Sequence, residues 1–146
     1  MSDNRYYESF EIGETRETAG RTVTEADIVN YAGVSGDFHP LHLDETFAQE
    51  TDFGERIAHG LLVLSIAAAL ESPDNEHSFM YGFEGMRFVA PTFMGETISV
   101  ETELTDKTER SEEHGLITKK FEVTNQDGDT KLVCDKLEIV SRQGAD

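Results

Sequence analysis

The chain has no tryptophan and one cysteine, Cys134, and it sets 30 acidic residues against 12 lysines and arginines. A lone thiol excludes an internal disulfide, which fits a reducing compartment. The formal net charge of -18 makes nucleic acid and anionic membrane surfaces poor partners. Lysine is confined to Lys107, Lys119, Lys120, Lys131 and Lys136. A salt-rich cytoplasm accounts for so acidic a surface, because molar salt shortens the screening length to about 3 Å. Long apolar runs are scarce as well. The longest, Leu61 to Leu70, falls far short of the roughly 20 residues that span a bilayer. The opening MSDNRYYESF has no apolar signal core. The expectation is a soluble, cytoplasmic protein with no membrane contact.

What is present is periodic. At 146 residues the chain suits one domain, residues 1–146, with a sizeable core. The acids are spread through patterned segments and form no tail. Residues 1–21 read as a polar lead-in with an edge strand. Thr24-Glu25-Ala26-Asp27 has the form of a capped helix start. Ile28, Tyr31 and Ala32 share one face of that helix, which ends at Gly33 or Gly36. Asp37 to Leu43 reads as a loop, with Pro40 pushing His39 out of the helical region. Asp44 caps a short helix running to about Gln49. Gly60 to Glu71 is a helix apolar on nearly every face, so sheet or partner must enclose it. Ser72-Pro73-Asp74-Asn75 ends it.

Past that point the pattern is that of strands. Phe79 to Ala90 is aromatic-rich, with Gly82 and Gly85 as bulge points. Thr97 to Leu104 alternates, with Ile98, Val100 and Leu104 inward. Thr105 to Glu113 reads as a charged hairpin tip. Ile117, Phe121 and Val123 mark a further strand whose inner face Lys119 interrupts. Asn125-Gln126-Asp127-Gly128 is a hairpin turn, and Val133, Leu137 and Ile139 mark the last strand. Helices first and an antiparallel meander after give an α+β fold. Only the Gly60–Glu71 helix can fill the concave face of that sheet, which is the hot-dog arrangement. One helix leaves a sheet edge open, and pairing with a second copy is the expected remedy.

Asp37-Phe38-His39-Pro40-Leu41-His42 concentrates ionisable groups on a stiffened segment. A carboxylate and an imidazole held close can share a water, one taking a proton while the other supplies one. Alone, the pair reads more readily as a turn cap and a packed ring; the surrounding pattern reverses that in favour of the chemistry. His39 and His42 with Asp37 and Asp44 suit zinc by residue type, but no reinforcing Cys or Glu set accompanies them, so no metal is assigned. Gly60 heads an enclosed helix, where an unsatisfied amide and the helix dipole can stabilise an oxyanion; Gly60 also simply allows close packing. His59 reads as structural rather than catalytic. Tyr81, Phe83, Phe88 and Phe93 read as core, and Arg56 and Arg87 as ion-pair partners rather than phosphate ligands. Ser65 lacks a paired base and is no nucleophile.

Tyr31-Ala32-Gly33-Val34-Ser35-Gly36-Asp37-Phe38-His39-Pro40-Leu41-His42 with Ala48, then Ile57-Ala58-His59-Gly60-Leu61, Tyr81 to Phe88 and Pro91 to Glu96, resembles the MaoC-like (R)-specific enoyl-CoA hydratases over roughly residues 10 to 141. The resemblance implies a hot-dog homodimer, or a higher homo-oligomer, with its site at or near the subunit interface. It implies reversible hydration of trans-2-enoyl-CoA to (R)-3-hydroxyacyl-CoA, with acyl-CoA as substrate and no other cofactor. Asp37 and His42 would activate the water and deliver the proton, and Gly60 would bind the thioester oxygen. The family usually has Asn where this chain has His39, which would support the loop without touching substrate. Competing readings are a hot-dog thioesterase and a non-catalytic acyl- or metal-binding domain. A dehydratase of acyl-carrier-protein thioesters is disfavoured by repulsion between two acidic proteins.

Overall fold

The computed structural model describes residues 4–72 and 75–144. After a short 3-10 turn, Tyr7–Ser9, come β1 (Thr15–Glu17), β2 (Arg21–Thr22), α1 (Glu25–Ser35), α2 (Pro40–Leu43), α3 (Glu45–Gln49) and α4 (Gly60–Glu71). Four long strands follow: β3 (Ser78–Phe88), β4 (Thr97–Glu109), β5 (His114–Thr124) and β6 (Thr130–Ser141). They form one antiparallel sheet in the order β1-β4-β5-β6-β3, with β2 also pairing β4.

Local chemistry sets the helix ends. The Thr24 hydroxyl accepts from the Asp27 amide while the Asp27 carboxylate accepts from the Thr24 amide, closing the expected capping box. α1 stops at Gly36, whose φ of 81° suits glycine. Gly36, not Gly33, is therefore the terminator. The segment expected to be all loop holds the single turn α2. Pro40 occupies its first position, where a missing amide proton costs nothing, and His39 Nδ1 accepts from the Leu41 amide. Asp44 caps α3 by accepting from the Phe47 amide. Two residues of the expected α4 terminator, Pro73 and Asp74, lie outside the described residues; α4 itself ends at Glu71.

α4 lies on the concave face of the sheet. Leu62, Val63, Ile66 and Ala67 pack with Ile98, Val100, Phe121, Val123, Leu132 and Cys134 in one core cluster. A smaller cluster of Tyr7, Phe10, Leu104, Ile117 and Val140 closes the other end of the face. This is the hot-dog arrangement. Enclosure of α4 is incomplete, however: Leu61 is 53% exposed, and Ser65 and Ala69 are exposed beside it on the same helical stripe.

Lys119 does not break the inner face. It meets Glu71, in the last turn of α4, at 2.9 Å, and Lys136 on β6 pairs with the same carboxylate. Glu138 Oε2 lies 2.6 Å from Lys119 Nζ, an ion-pair contact without hydrogen-bond alignment. All four side chains are buried. Burial opposes the charge on Lys119, but Glu138 and Glu71 more than offset it and hold the ammonium above its ordinary range.

Two strand expectations need correction. β4 continues past a register shift between Leu104 and Asp106 to Glu109, so the hairpin tip is shorter than Thr105 to Glu113. Tyr81 and Phe88 are not core; each is about half exposed on β3, the edge strand. The bulges expected at Gly82 and Gly85 coincide with the register shifts of β3, and Gly85 has φ 60°.

Candidate active site

Three segments separated in sequence converge on one cavity of about 480 Å³. Asp37 follows the end of α1, His42 sits in α2, and His59-Gly60 opens α4. The strap leading to α4 is pinned on both sides: the Ile57 amide donates to the Leu41 carbonyl and the Ala58 amide to the Thr92 carbonyl. Arg56, just before it, bridges Glu25 of α1 and Glu45 of α3, each at 2.8 Å. Arg56 is thus an ion-pair partner, as expected.

The imidazole geometry fixes the protons. His42 Nδ1 lies 2.8 Å from the Ile57 carbonyl, which only accepts, so Nδ1 carries the hydrogen and Nε2 keeps a lone pair. Nε2 is 3.9 Å from Asp37 Oδ2. That is too long for a direct hydrogen bond, yet a water at about 2.8 Å from each would subtend roughly a right angle. Burial, the largest influence, lowers the His42 pKa below its usual value, and His59 adds to the effect against the Ile57 carbonyl and Asp37. His42 is therefore a neutral base near pH 7.

Asp37 and His39 are tied together: the His39 amide donates to Asp37 Oδ1 at 3.2 Å. His39 itself is exposed and is not among the residues lining the cavity. Gly60 lines the cavity at the first position of α4, where no side chain caps the helix. The Phe88 ring lies directly over it, so that a β-carbon at Gly60 would sit 2.7 Å from the ring. The remaining wall is largely apolar, from Phe53, Ile57, Leu61, Val63, Val89 and Pro91, and the buried Lys131 contributes to it. Lys131 is paired with Glu96 at 3.0 Å and donates to the Pro91 carbonyl.

The zinc set drawn from His39 and Asp44 does not assemble. Instead, ligand atoms of Asp37, His42 and His59 fall within 4.8 Å of one another. The His42 and His59 rings are stacked, with centroids 3.8 Å apart and planes 26° from parallel. Their in-plane lone pairs therefore run side by side, and one ion about 2.1 Å from both nitrogens cannot lie in both planes. The residue types suit a metal; the ring geometry does not. His59, read from sequence as purely structural, is the residue whose proximity was missed. Its only sequence signal is its place directly before the glycine of an enclosed helix.

Comparison with known proteins identifies the family. The sequence model of the MaoC like domain matches residues 8–126. The chain is 41% identical over 106 residues to Protein MaoC of Klebsiella aerogenes, covering 71% of this chain but only 32% of that protein's length. It is 33% identical over 120 residues to an (R)-specific enoyl-CoA hydratase of Rhodospirillum rubrum, covering 82% of this chain and 76% of the relative. Among solved structures, one described as a monoamine oxidase regulatory protein of Archaeoglobus fulgius superposes with a TM-score of 0.90 at 38% identity, covering 96% of both chains. With the family match spanning most of the fold and all three converging segments, this chain belongs to the MaoC-like dehydratase family.

Proposed function

We propose that the protein is an (R)-specific enoyl-CoA hydratase/dehydratase. The observation that carries this reading is the 3.9 Å separation of His42 Nε2 and Asp37 Oδ2, beside the start of α4 in a largely apolar cavity. A water held by both groups gives up one proton as its hydroxyl bonds to the β-carbon. A proton is delivered to the α-carbon, and the double bond is consumed. Charge that builds on the thioester oxygen meets the Gly60 amide and the positive end of α4. Dehydration runs the same steps backwards. The chemistry asks for no metal or prosthetic group, and CoA is the simpler thioester carrier for so acidic a chain.

The functional unit in this reading is a homodimer. The β3 edge carries Phe79, Tyr81 and Phe88, and α4 leaves Leu61 uncovered. A second copy would bury these together. The acidic surface suits a salt-rich cytoplasm.

The test is loss of the conjugated enoyl thioester absorbance across a series of enoyl-CoA chain lengths, at low and high salt. Asp37→Asn and His42→Gln should each abolish the signal in folded protein. Free thiol release without hydration would instead identify a thioesterase, and full activity in either variant removes the assigned roles.

A further inference from the structure

We infer that His59 is the positioning residue for both members of the proposed acid–base pair, holding Asp37 through its backbone and His42 through its ring. The inference rests on the hydratase reading for its kinetic consequences, but its geometric content is independent of it.

His59 is 2% exposed. Its Nε2 lies 2.9 Å from the Asp37 carbonyl, an acceptor only, so Nε2 carries the hydrogen. This bond joins two residues 22 positions apart and ties the segment after α1 to the start of α4. The other nitrogen, Nδ1, is buried and has no hydrogen-bond partner among the described residues. One face of the ring then serves as a shelf for His42, with centroids 3.8 Å apart, while Tyr31 closes edge-on at 4.8 Å. His42 is thereby confined in its ring plane while Nδ1 reaches Ile57, and its Nε2 stays turned toward Asp37. Histidine supplies a planar ring and an N–H at one fixed point. Glutamine can keep a donor but no shelf; phenylalanine keeps the shelf but no donor.

These two variants separate the functions. His59→Gln and His59→Phe are each expected to lower kcat for enoyl-CoA hydration at least about tenfold, because small misplacements of reacting groups are costly, with KM within about threefold. Unfolding midpoints measured alongside show whether the loss is merely one of stability. A second readout needs no activity: nitrogen NMR of histidine-labelled protein. Wild type should show His42 as the Nδ1–H tautomer and His59 as the Nε2–H tautomer. His59→Phe should leave His42 in that form, and His59→Gln should mix its tautomers. Wild-type kcat in either variant, or an unmixed His42 tautomer in His59→Gln, overturns the assignment. A wild-type protein that hydrates no enoyl thioester would sink the hydratase reading, while the tautomer spectra would still decide the role of His59.

Discussion

Removing Glu71 tests whether the buried charges form one coupled unit. Glu71 is fully buried and its carboxylate meets both Lys136, 1% exposed, and Lys119. In Glu71→Leu, Lys119 keeps Glu138, but Lys136 loses its only ion-pair contact among the described residues. Stranding a buried charge costs about 3–5 kcal/mol. Lys136→Met is milder, because Glu71 retains Lys119; about 1–3 kcal/mol is expected. The double variant removes one charge of each sign and leaves Lys119–Glu138 self-contained, so its stability should be within about 1 kcal/mol of wild type or above it. The interaction energy from this cycle is then at least about 3 kcal/mol. Urea unfolding of the four proteins at neutral pH gives each value. Repeating the series in molar salt should leave the coupling intact, since buried pairs are screened far less than surface pairs. Glu71→Leu alone should gain stability as pH rises. An unpaired buried lysine has a lowered folded pKa, so the unfolded chain binds the extra proton. A double variant as unstable as the two single changes combined would refute the account.

Other outcomes follow from the site and the caps. His42 has a folded pKa below its ordinary value, so kcat/KM should fall on the acid side with a midpoint below about 6.5. The same shift costs stability as pH falls from that value through the folded pKa, because the unfolded chain takes up the proton first; pH-dependent unfolding of wild type and His42→Gln isolates it. Gly60→Ala places a methyl against Phe88. That ring must be displaced to admit it, so about 1–3 kcal/mol of stability should be lost, and a displaced wall over the amide should lower kcat about tenfold. Thr24→Ala removes one side of the capping box and should cost about 1 kcal/mol in thermal or urea unfolding, without changing KM.

Most of the architecture is legible in the primary sequence because it depends on near neighbours. The capping box, the proline before His42, the bounds of α4 and the Gly82 and Gly85 bulges each follow from residues a few positions apart. What escaped depends on distant partners or on brevity. Lys119 reads as a defect until its partner Glu71, 48 positions earlier, is brought beside it. The outer part of β4 reads as a charged tip because the strand there has no inward apolar series; its pairing with β5 carries it on to Glu109. α2 is a single turn, too short to show a period. The aromatics of β3 suggest core by type, but an edge strand leaves them uncovered. At the site, Asp37 and His42 are near in sequence, so their proximity was legible; His59 binds a carbonyl 22 positions back, which no local pattern announces.

The carboxylate at the last turn of α4 also indexes the helix along its own axis. Sliding α4 by one residue, about 1.5 Å, would pull Glu71 off two ammonium groups and press it toward the apolar side chains that line the rest of the groove. Apolar contacts alone tolerate such slippage, since one leucine packs much like the next. A single polar peg with two sockets does not, and because the rod is stiff, the peg at one end calibrates the height of Gly60 at the other.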